Sequence, residues 1–178
     1  MARQATLHTL SVLVENRPGV LARIAGLFAR RAFNIHSLSV SPTERPDISR
    51  LTVTADVEEV PLEQLTKQLN KLLHVLKIVD LDAHTTVERE LVLIKVAATQ
   101  ETRPSVLDTV QLFRARVVDV HAQSLTVEAT GAASKIDALL KLLEPYGIIE
   151  LVRSGTVAMG RGPKALSEKV AGSEITGR

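Results

Sequence analysis

The sequence predicts an α+β protein made of two tandem ferredoxin-like βαββαβ domains. One observation is the order of apolar patterns between residues 7 and 81, which is strand, helix, strand, strand, helix, strand. A second is that the same order recurs between residues 90 and 153, although the residues themselves differ. With 178 residues, 45% of them apolar, the chain is long enough to bury two small cores. We therefore expect one domain over 5–83, a second over 84–162 and a disordered tail over 163–178.

Alternation of apolar and polar residues predicts the strands of the first domain, and apolar stripes predict its helices. Leu10, Val12 and Val14 share one strand face. The predicted elements are a strand over 7–14, a helix over 18–32, strands over 34–40 and 50–55, a helix opened by Pro61 and a strand over 75–81. The second helix carries a stripe made of Leu62, Leu65, Leu69, Leu72 and Leu73.

The second domain repeats this pattern with shorter strands. Its predicted elements are a strand over 90–98, a helix over 104–114, strands over 117–121 and 125–129, a helix over 134–143 and a strand over 147–153. In the first of these helices we expect Val106, Leu107, Val110 and Phe113 to point inward. Each domain should place both helices on one face of an antiparallel sheet and leave the other face uncovered. Pairing with another copy is a natural remedy for such an open face and its edge strands.

Composition excludes several classes of function. Aromatic residues are only 2% of the chain, and the net charge is +2, so a base-stacking or polybasic nucleic-acid surface is not expected. The absence of cysteine excludes disulfides, thiolate nucleophiles and cysteine-bound zinc. The N-terminus lacks an apolar signal segment, and no apolar run is long enough to span a membrane. We expect a soluble, cytoplasmic protein.

The sequence contains no recognisable catalytic or cofactor-binding motif. A glycine-rich phosphate loop and a nucleophile-elbow serine are both missing. The five histidines form no pair at metal-ligand spacing, so we expect no metal or cofactor in this chain. We expect His36 to be half-buried beside Leu38, and His74 and His84 to be solvated. A binding or regulatory module is favoured over an enzyme.

The segment around Asn16-Arg17-Pro18-Gly19 joins the first strand to the first helix. Asn16 suits a cap or turn, and Pro18 suits the first turn of a helix. Gly19 places no side chain over the helix start, so the N–H groups of Gly19, Val20 and Leu21 are expected to be open. Such a helix N-terminus can bind a small carboxylate. The alternative is a tight turn with no ligand.

This loop resembles the ACT domain, a family of amino-acid-sensing modules. A longer set of segments is similar to the small regulatory subunits of acetolactate synthase, and it extends over about residues 7–162. Those segments are Ser11–Asn16, Gly26–Phe28, Arg31–Ile35, Ser37–Leu38, Ser41–Thr43, Ser49–Thr52, Lys67–Leu72, Val75–Ile78, Val87–Leu91 and Val152–Gly155.

The resemblance implies a large catalytic partner subunit that uses thiamine diphosphate, Mg²⁺ and FAD to condense pyruvate with pyruvate or 2-oxobutanoate. It implies that this chain activates that partner in branched-chain amino-acid biosynthesis and confers feedback inhibition by valine, with isoleucine or leucine as weaker effectors.

The resemblance also implies where the effector binds. The family's site falls on Asn16, Gly19 and Asn34, with Val20, Leu21 and Ile35 beside them, between the ACT domains of a homodimer. The second, degenerate ACT-like repeat has Glu101-Thr102-Arg103-Pro104-Ser105 at this position and lacks both the asparagine and the glycine. We infer that it does not bind the effector, and the resemblance implies that it engages the catalytic subunit. Arg17 places a cation near this loop, where it could assist carboxylate binding or point to water, and we favour water.

Two other functions stay open at this point. One is a stand-alone regulator with two ACT domains, similar to the glycine-cleavage repressor group. The other is an enzyme in its own right, which the missing catalytic groups disfavour.

Overall fold

The computed structural model describes residues 6–31, 33–57 and 59–166. Within them the chain forms two compact units. Unit 1 comprises the residues up to Val87 together with those from Ala158 onward, and unit 2 comprises Glu88–Val157. Residues 158–166 therefore belong to unit 1, whereas the sequence prediction assigned residues up to 162 to the second domain. Most of the predicted tail, residues 167–178, lies outside the described residues.

Unit 1 has the predicted βαββαβ order. Its elements are β1 (Thr6–Glu15), α1 (Val20–Arg30), β2 (Ile35–Pro42), β3 (Ile48–Val57), α2 (Glu59–Leu69) and β4 (Val75–Leu81). The antiparallel sheet has the strand order β2-β3-β1-β4, so β2 and β4 are its edges.

The core of unit 1 lies between one face of this sheet and the two helices. Leu10, Val12 and Val14 pack in one apolar cluster with Phe28 of α1 and Leu65 of α2. The predicted leucine stripe is correct as far as Leu69, because α2 ends there. Leu72 still packs against the core, but Leu73 lies in the following turn and is 82% exposed.

The other face of the unit 1 sheet, which we call the outer face, is not bare. Strand alternation places Thr9, Ser11 and Leu13 of β1 there, beside Thr52 and Thr54 of β3. All five side chains are buried. The expected uncovered face is therefore wrong for this part of unit 1, and its polar side chains must find partners out of water.

Unit 2 repeats the arrangement. Its elements are β5 (Thr86–Ala97, of which residues from 88 belong to unit 2), α3 (Arg103–Leu112), β6 (Arg116–His121), β7 (Ser124–Gly131), α4 (Ala133–Leu143), a 3₁₀ turn (Glu144–Tyr146) and β8 (Ile148–Arg153). The strand order is β6-β7-β5-β8. A short strand, β9 (Val157–Gly160, of which residues from 158 belong to unit 1), pairs with β5. Strand β9 was not predicted.

The second core also follows the predicted faces with one exception. Val106 and Val110 of α3 and Ile136 and Leu139 of α4 are buried with the inward residues of β5 and β7. Leu107, which was expected to point inward, is 36% exposed. Near the end of the unit, the buried Glu90 carboxylate accepts hydrogen bonds from Arg153 Nε and the Thr156 hydroxyl, both at 2.6 Å. The buried charge of Glu90 is tolerated because Arg153 pairs with it and both partners donate hydrogen bonds to its carboxylate.

Candidate effector site

The loop between β1 and α1 is held by the loop between β2 and β3. The backbone N–H of Asn16 donates to the Asp47 carbonyl at 2.7 Å. The side-chain amide of Asn16 donates to the Pro46 carbonyl at 2.9 Å. This leaves the amide oxygen of Asn16 and its second N–H for another partner. Sequence reasoning missed Pro46 and Asp47, because a hydrogen bond across 30 residues has no local sequence signal.

Helix α1 begins two residues later than predicted. Its N-cap is Gly19, whose φ of 82° is in the left-handed region that favours glycine. Pro18 therefore lies in the turn ahead of the helix and not in its first turn. A left-handed residue is needed here because the chain must reverse between the end of β1 and the start of α1.

The start of α1 is open to an anion. Gly19 has no side chain with which to cap the helix, and the first turn contains no acidic residue. The Val20 N–H is 3.5 Å from the Arg17 carbonyl, a weak turn contact, and the next two N–H groups have no acceptor within the helix. Gly19 is exposed, and a Cβ built on it meets no atom within 4 Å. Space, free donors and the positive end of the helix dipole coincide at this point.

The two apolar residues next to Gly19 differ in orientation. Val20 is 5% exposed and belongs to the core, so only its backbone can contact a ligand. Leu21 is 41% exposed and presents its side chain beside the helix start. The sequence could not separate the two, because both are apolar neighbours on one helical turn.

Arg17 is part of a charged cluster beside the loop. Its Nε lies 2.7 Å from a Glu15 carboxylate oxygen, and His74 Nδ1 lies 3.2 Å from the same oxygen. The Arg17 side chain is 67% exposed, so it does contact water, but its ion pair with Glu15 was not anticipated. His74 is half-buried and not simply solvated, whereas His36 is exposed and not half-buried. His84 is exposed, as predicted.

The neighbouring loop has an ion pair of its own. The Arg45 guanidinium, which lies 2.9 Å from the Asp47 carboxylate, holds the pKa of that carboxyl below its usual range by hydrogen bonding. Both residues lie in the loop that holds Asn16. A charged Asp47 at neutral pH therefore helps to fix that loop.

The remaining two candidate residues lie at the opposite end of the same sheet. Ile35 pairs with Ala55, which pairs with His8 near the start of β1. Asn16 follows the other end of β1. The seven residue-to-residue steps from His8 to Glu15 extend over about 23 Å at the usual rise of a strand. Within one copy of the chain, Asn34 and Ile35 are therefore not brought together with Asn16 and Gly19.

The equivalent loop in unit 2 is closed by an arginine. Arg103 Nη2 lies within hydrogen-bond distance of three carbonyls, those of Ala98, His121 and Ala122, at 2.7–3.1 Å. Its guanidinium ties the start of α3 to the turn between β6 and β7. Thr99 and Thr102 also bond to each other's backbone and hydroxyl groups. These hydrogen bonds occupy the Nη2 of Arg103 and both threonine hydroxyls, whereas the buried Nε of Arg103 has no partner among the described residues.

Two further observations concern only the described residues. No cluster of three or more histidine and acidic side chains there could hold a metal ion. No helix among those residues has the length and apolar character needed to cross a bilayer.

Comparison with known proteins covers both units. Residues 10–77 match the family described as the AHAS small subunit-like ACT domain, and residues 89–162 match the family described as the small subunit of acetolactate synthase. The acetolactate synthase small subunit of Mycolicibacterium smegmatis is 55% identical over 93% of this chain and 98% of its own length. That of Mycobacterium leprae is 58% identical over 89% and 94%.

A solved structure agrees with the sequence relatives. The crystal structure of the acetolactate synthase small subunit from Thermotoga maritima superposes with a TM-score of 0.82 at 39% identity. The superposition covers 89% of this chain and 99% of the Thermotoga chain. The similarity therefore includes both units and not only one ACT-like module.

Proposed function

The chain belongs to the family of acetolactate synthase small subunits, and on this basis we propose that it is a regulatory subunit that binds valine, activates a large catalytic subunit and makes it sensitive to feedback inhibition. Thiamine diphosphate, Mg²⁺ and FAD belong to the catalytic partner in this proposal. Because the chain belongs to this family, we propose a subunit of acetolactate synthase and not a stand-alone regulator.

The observation that carries the effector proposal is the open start of α1. The valine carboxylate accepts hydrogen bonds from the N–H groups that follow Gly19, where the helix dipole also favours an anion. The Asn16 amide oxygen accepts from the valine ammonium, since its N–H is already used on Pro46. The exposed Leu21 side chain contacts the branched side chain of valine.

The complete site requires a second copy of the chain. Strand β2 is an edge strand, so its outward N–H and C=O groups can pair with another β2. Its Pro42 end aligns with Ser49 and Val14, which is the sheet end that carries the Asn16 loop. In an antiparallel β2–β2 pair related by a two-fold axis, the Ile35 end of one copy faces the Pro42 end of the other. Asn34 and Ile35 of one copy then lie beside the Asn16 loop of the other.

This arrangement explains how valine could regulate. A ligand that contacts both copies binds the paired form more tightly than the separate chains, so it shifts the population toward the pair. If the paired form supports less activity in the catalytic subunit, valine inhibits. A coupling of about 1–3 kcal/mol is typical of such effects.

The test is to reconstitute the full chain with a purified acetolactate synthase large subunit and to measure acetolactate formation against valine concentration. We expect the chain to raise the rate and to introduce saturable inhibition by valine, with glycine as an inactive control ligand. Unchanged rate and unchanged valine response in a complex shown to form by sedimentation would overturn the proposal.

A further inference from the structure

A cavity of about 670 Å³ lies on the outer face of the unit 1 sheet. Ser11, Lys77 and Val79 form part of the sheet side of this cavity, and residues 158–166 also line it. All of its lining residues belong to unit 1. The volume is in the range of small-molecule sites. None of the six residues assigned above to valine lines it, so it is a separate site.

Two hydrogen-bond donors at this cavity have no partner among the described residues. Ser11 is 1% exposed, and its hydroxyl makes no hydrogen bond there. The Nε of Arg50 is likewise buried without a partner. Unsatisfied buried donors are uncommon in folded proteins because each one loses its hydration. Two at one cavity leave donors there that a hydrogen-bond acceptor can use.

The sheet register places two cations around this serine. Leu13, which is next but one to Ser11 on the outer face, pairs with Arg50 on one side and Lys77 on the other. Lys77 Nζ donates one hydrogen bond, to the Leu166 carbonyl at 3.0 Å, which leaves two further N–H donors. Long cationic side chains on both flanks of β1 can therefore reach one group above Ser11.

Three carboxylates also line the cavity, and two of them have partners other than Ser11, Arg50 and Lys77. Asp80 aligns with Leu10, whose side chain is on the helix face, and its carboxylate lies 3.3 Å from His8 Nδ1. Asp82 accepts from the backbone N–H of His84 at 2.7 Å. Glu44, the third carboxylate, is engaged in an interaction of its own. Arg161 and Lys164, which belong to the segment 158–166, also line the cavity.

We propose that this outer-face cavity binds a small organic carboxylate with an apolar body and no ammonium group. The carboxylate accepts hydrogen bonds from Arg50, Lys77 and Ser11, and the guanidinium fork is suited to a planar carboxylate. Val79 and Met159 offer apolar surface to the rest of the molecule. An ammonium group beside the carboxylate is disfavoured by the two cations, so valine itself is a poor ligand here.

The experiment is calorimetric titration of the full chain with 3-methylbutanoate, which is valine without its ammonium group. Inorganic phosphate is titrated in parallel as an anion with no apolar body. We expect saturable binding of 3-methylbutanoate that persists in the presence of saturating valine and in Asn16→Ala. If phosphate binds and 3-methylbutanoate does not, the site is a simple anion site and the proposed ligand class is wrong.

Three substitutions and a matched control locate the binding. Arg50→Gln and Lys77→Gln should each weaken binding at least about tenfold, since each removes charged hydrogen bonds. Ser11→Ala should weaken it severalfold while leaving the melting temperature unchanged or higher, because it removes an unsatisfied buried hydroxyl. Lys71→Gln, an exposed lysine of unit 1 that does not line the cavity, should leave binding unchanged.

Several results would overturn the proposal. Absence of saturable binding up to tens of millimolar ligand contradicts it, as does an equal loss in Lys71→Gln and Lys77→Gln. If valine competes with 3-methylbutanoate and Asn16→Ala abolishes 3-methylbutanoate binding, then 3-methylbutanoate binds at the valine site and the proposal is wrong. Conversely, a failure of valine regulation with intact 3-methylbutanoate binding would refute the proposed function and leave this inference standing.

Discussion

Substitution of Asn16 by alanine separates the effector site from the rest of the protein. The backbone hydrogen bond from Asn16 to Asp47 survives the change, because it does not use the side chain. The side-chain bond to Pro46 is lost, and so is the amide oxygen proposed to accept from the valine ammonium. The fold should persist, because Asn16 is exposed and is not a member of the apolar core.

The magnitudes follow from those two losses. The bond to Pro46 is at the protein surface, where a neutral hydrogen bond contributes about 0.5–1 kcal/mol to the free energy of unfolding. A hydrogen bond to the charged ammonium is worth about 1.5–3 kcal/mol, which weakens valine binding by roughly 10- to 150-fold. The loss of affinity should therefore exceed the loss of stability.

The assay is valine titration of the isolated chain by calorimetry, followed by valine inhibition of the reconstituted enzyme. Asn70→Ala is the matched control, since Asn70 is an exposed asparagine of the same unit at the end of α2. We expect Asn16→Ala to shift the inhibition curve and to leave activation of the large subunit intact, whereas Asn70→Ala changes neither.

Two results would refute this reasoning. Unchanged valine affinity in Asn16→Ala would remove the asparagine from the site. Loss of activation together with inhibition, in a variant whose unfolding curve is normal, would show that effector binding and activation are not separable between the two units.

Three further predictions address the helix start, the second loop and the pairing edge. Gly19→Asp should abolish valine inhibition in the reconstituted enzyme, because its carboxylate has room at the helix start and competes with the ligand; its positive φ should cost about 1 kcal/mol in a urea unfolding curve. Arg103→Gln should lower the unfolding free energy by about 2 kcal/mol through the loss of its carbonyl contacts, while calorimetry shows unchanged valine affinity. Val40→Lys, at an exposed position of edge strand β2, should weaken self-association in sedimentation and reduce valine affinity with it, whereas intact dimers would contradict β2 pairing.

Much of the fold was predictable because its signals are local. The alternation of Leu10, Val12 and Val14 and the helical spacing of Ile24, Leu27 and Phe28 each reflect one element packing on one core. Strand β4 was predicted with its observed bounds, since a change from helical spacing to an extended apolar run begins at Val75. These patterns do not depend on distant residues.

The errors at the site have physical causes that local patterns do not contain. Proline suits the first helical turn, but Pro18 is followed by a glycine in the left-handed conformation, which delays the helix to Val20. The short segment around Ala158 shows no periodicity, so β9 and its place in unit 1 could not be foreseen. The serines and threonines of the outer face have the composition of a solvated surface, and only tertiary packing buries them.

The separation of Asn34 from Asn16 is the most informative of these differences. Sequence resemblance assigns both to one site, whereas the register of β2 on β3 places them at opposite ends of one sheet. Both statements hold together only if the site is shared between copies. The register of a single chain therefore supports a two-fold pair without any contact between copies being observed.

The start of each unit's first helix explains why only one repeat is proposed to bind an effector. Helix α1 begins two residues after Pro18, so each of its first N–H groups is present. Helix α3 begins one residue before Pro104, so its second residue has no N–H to donate. The first, that of Arg103, already donates to the Thr99 carbonyl at 2.9 Å. Moving the helix start by three residues relative to the proline thus removes the anion site from unit 2, and replacing Ser105 by glycine would not restore it.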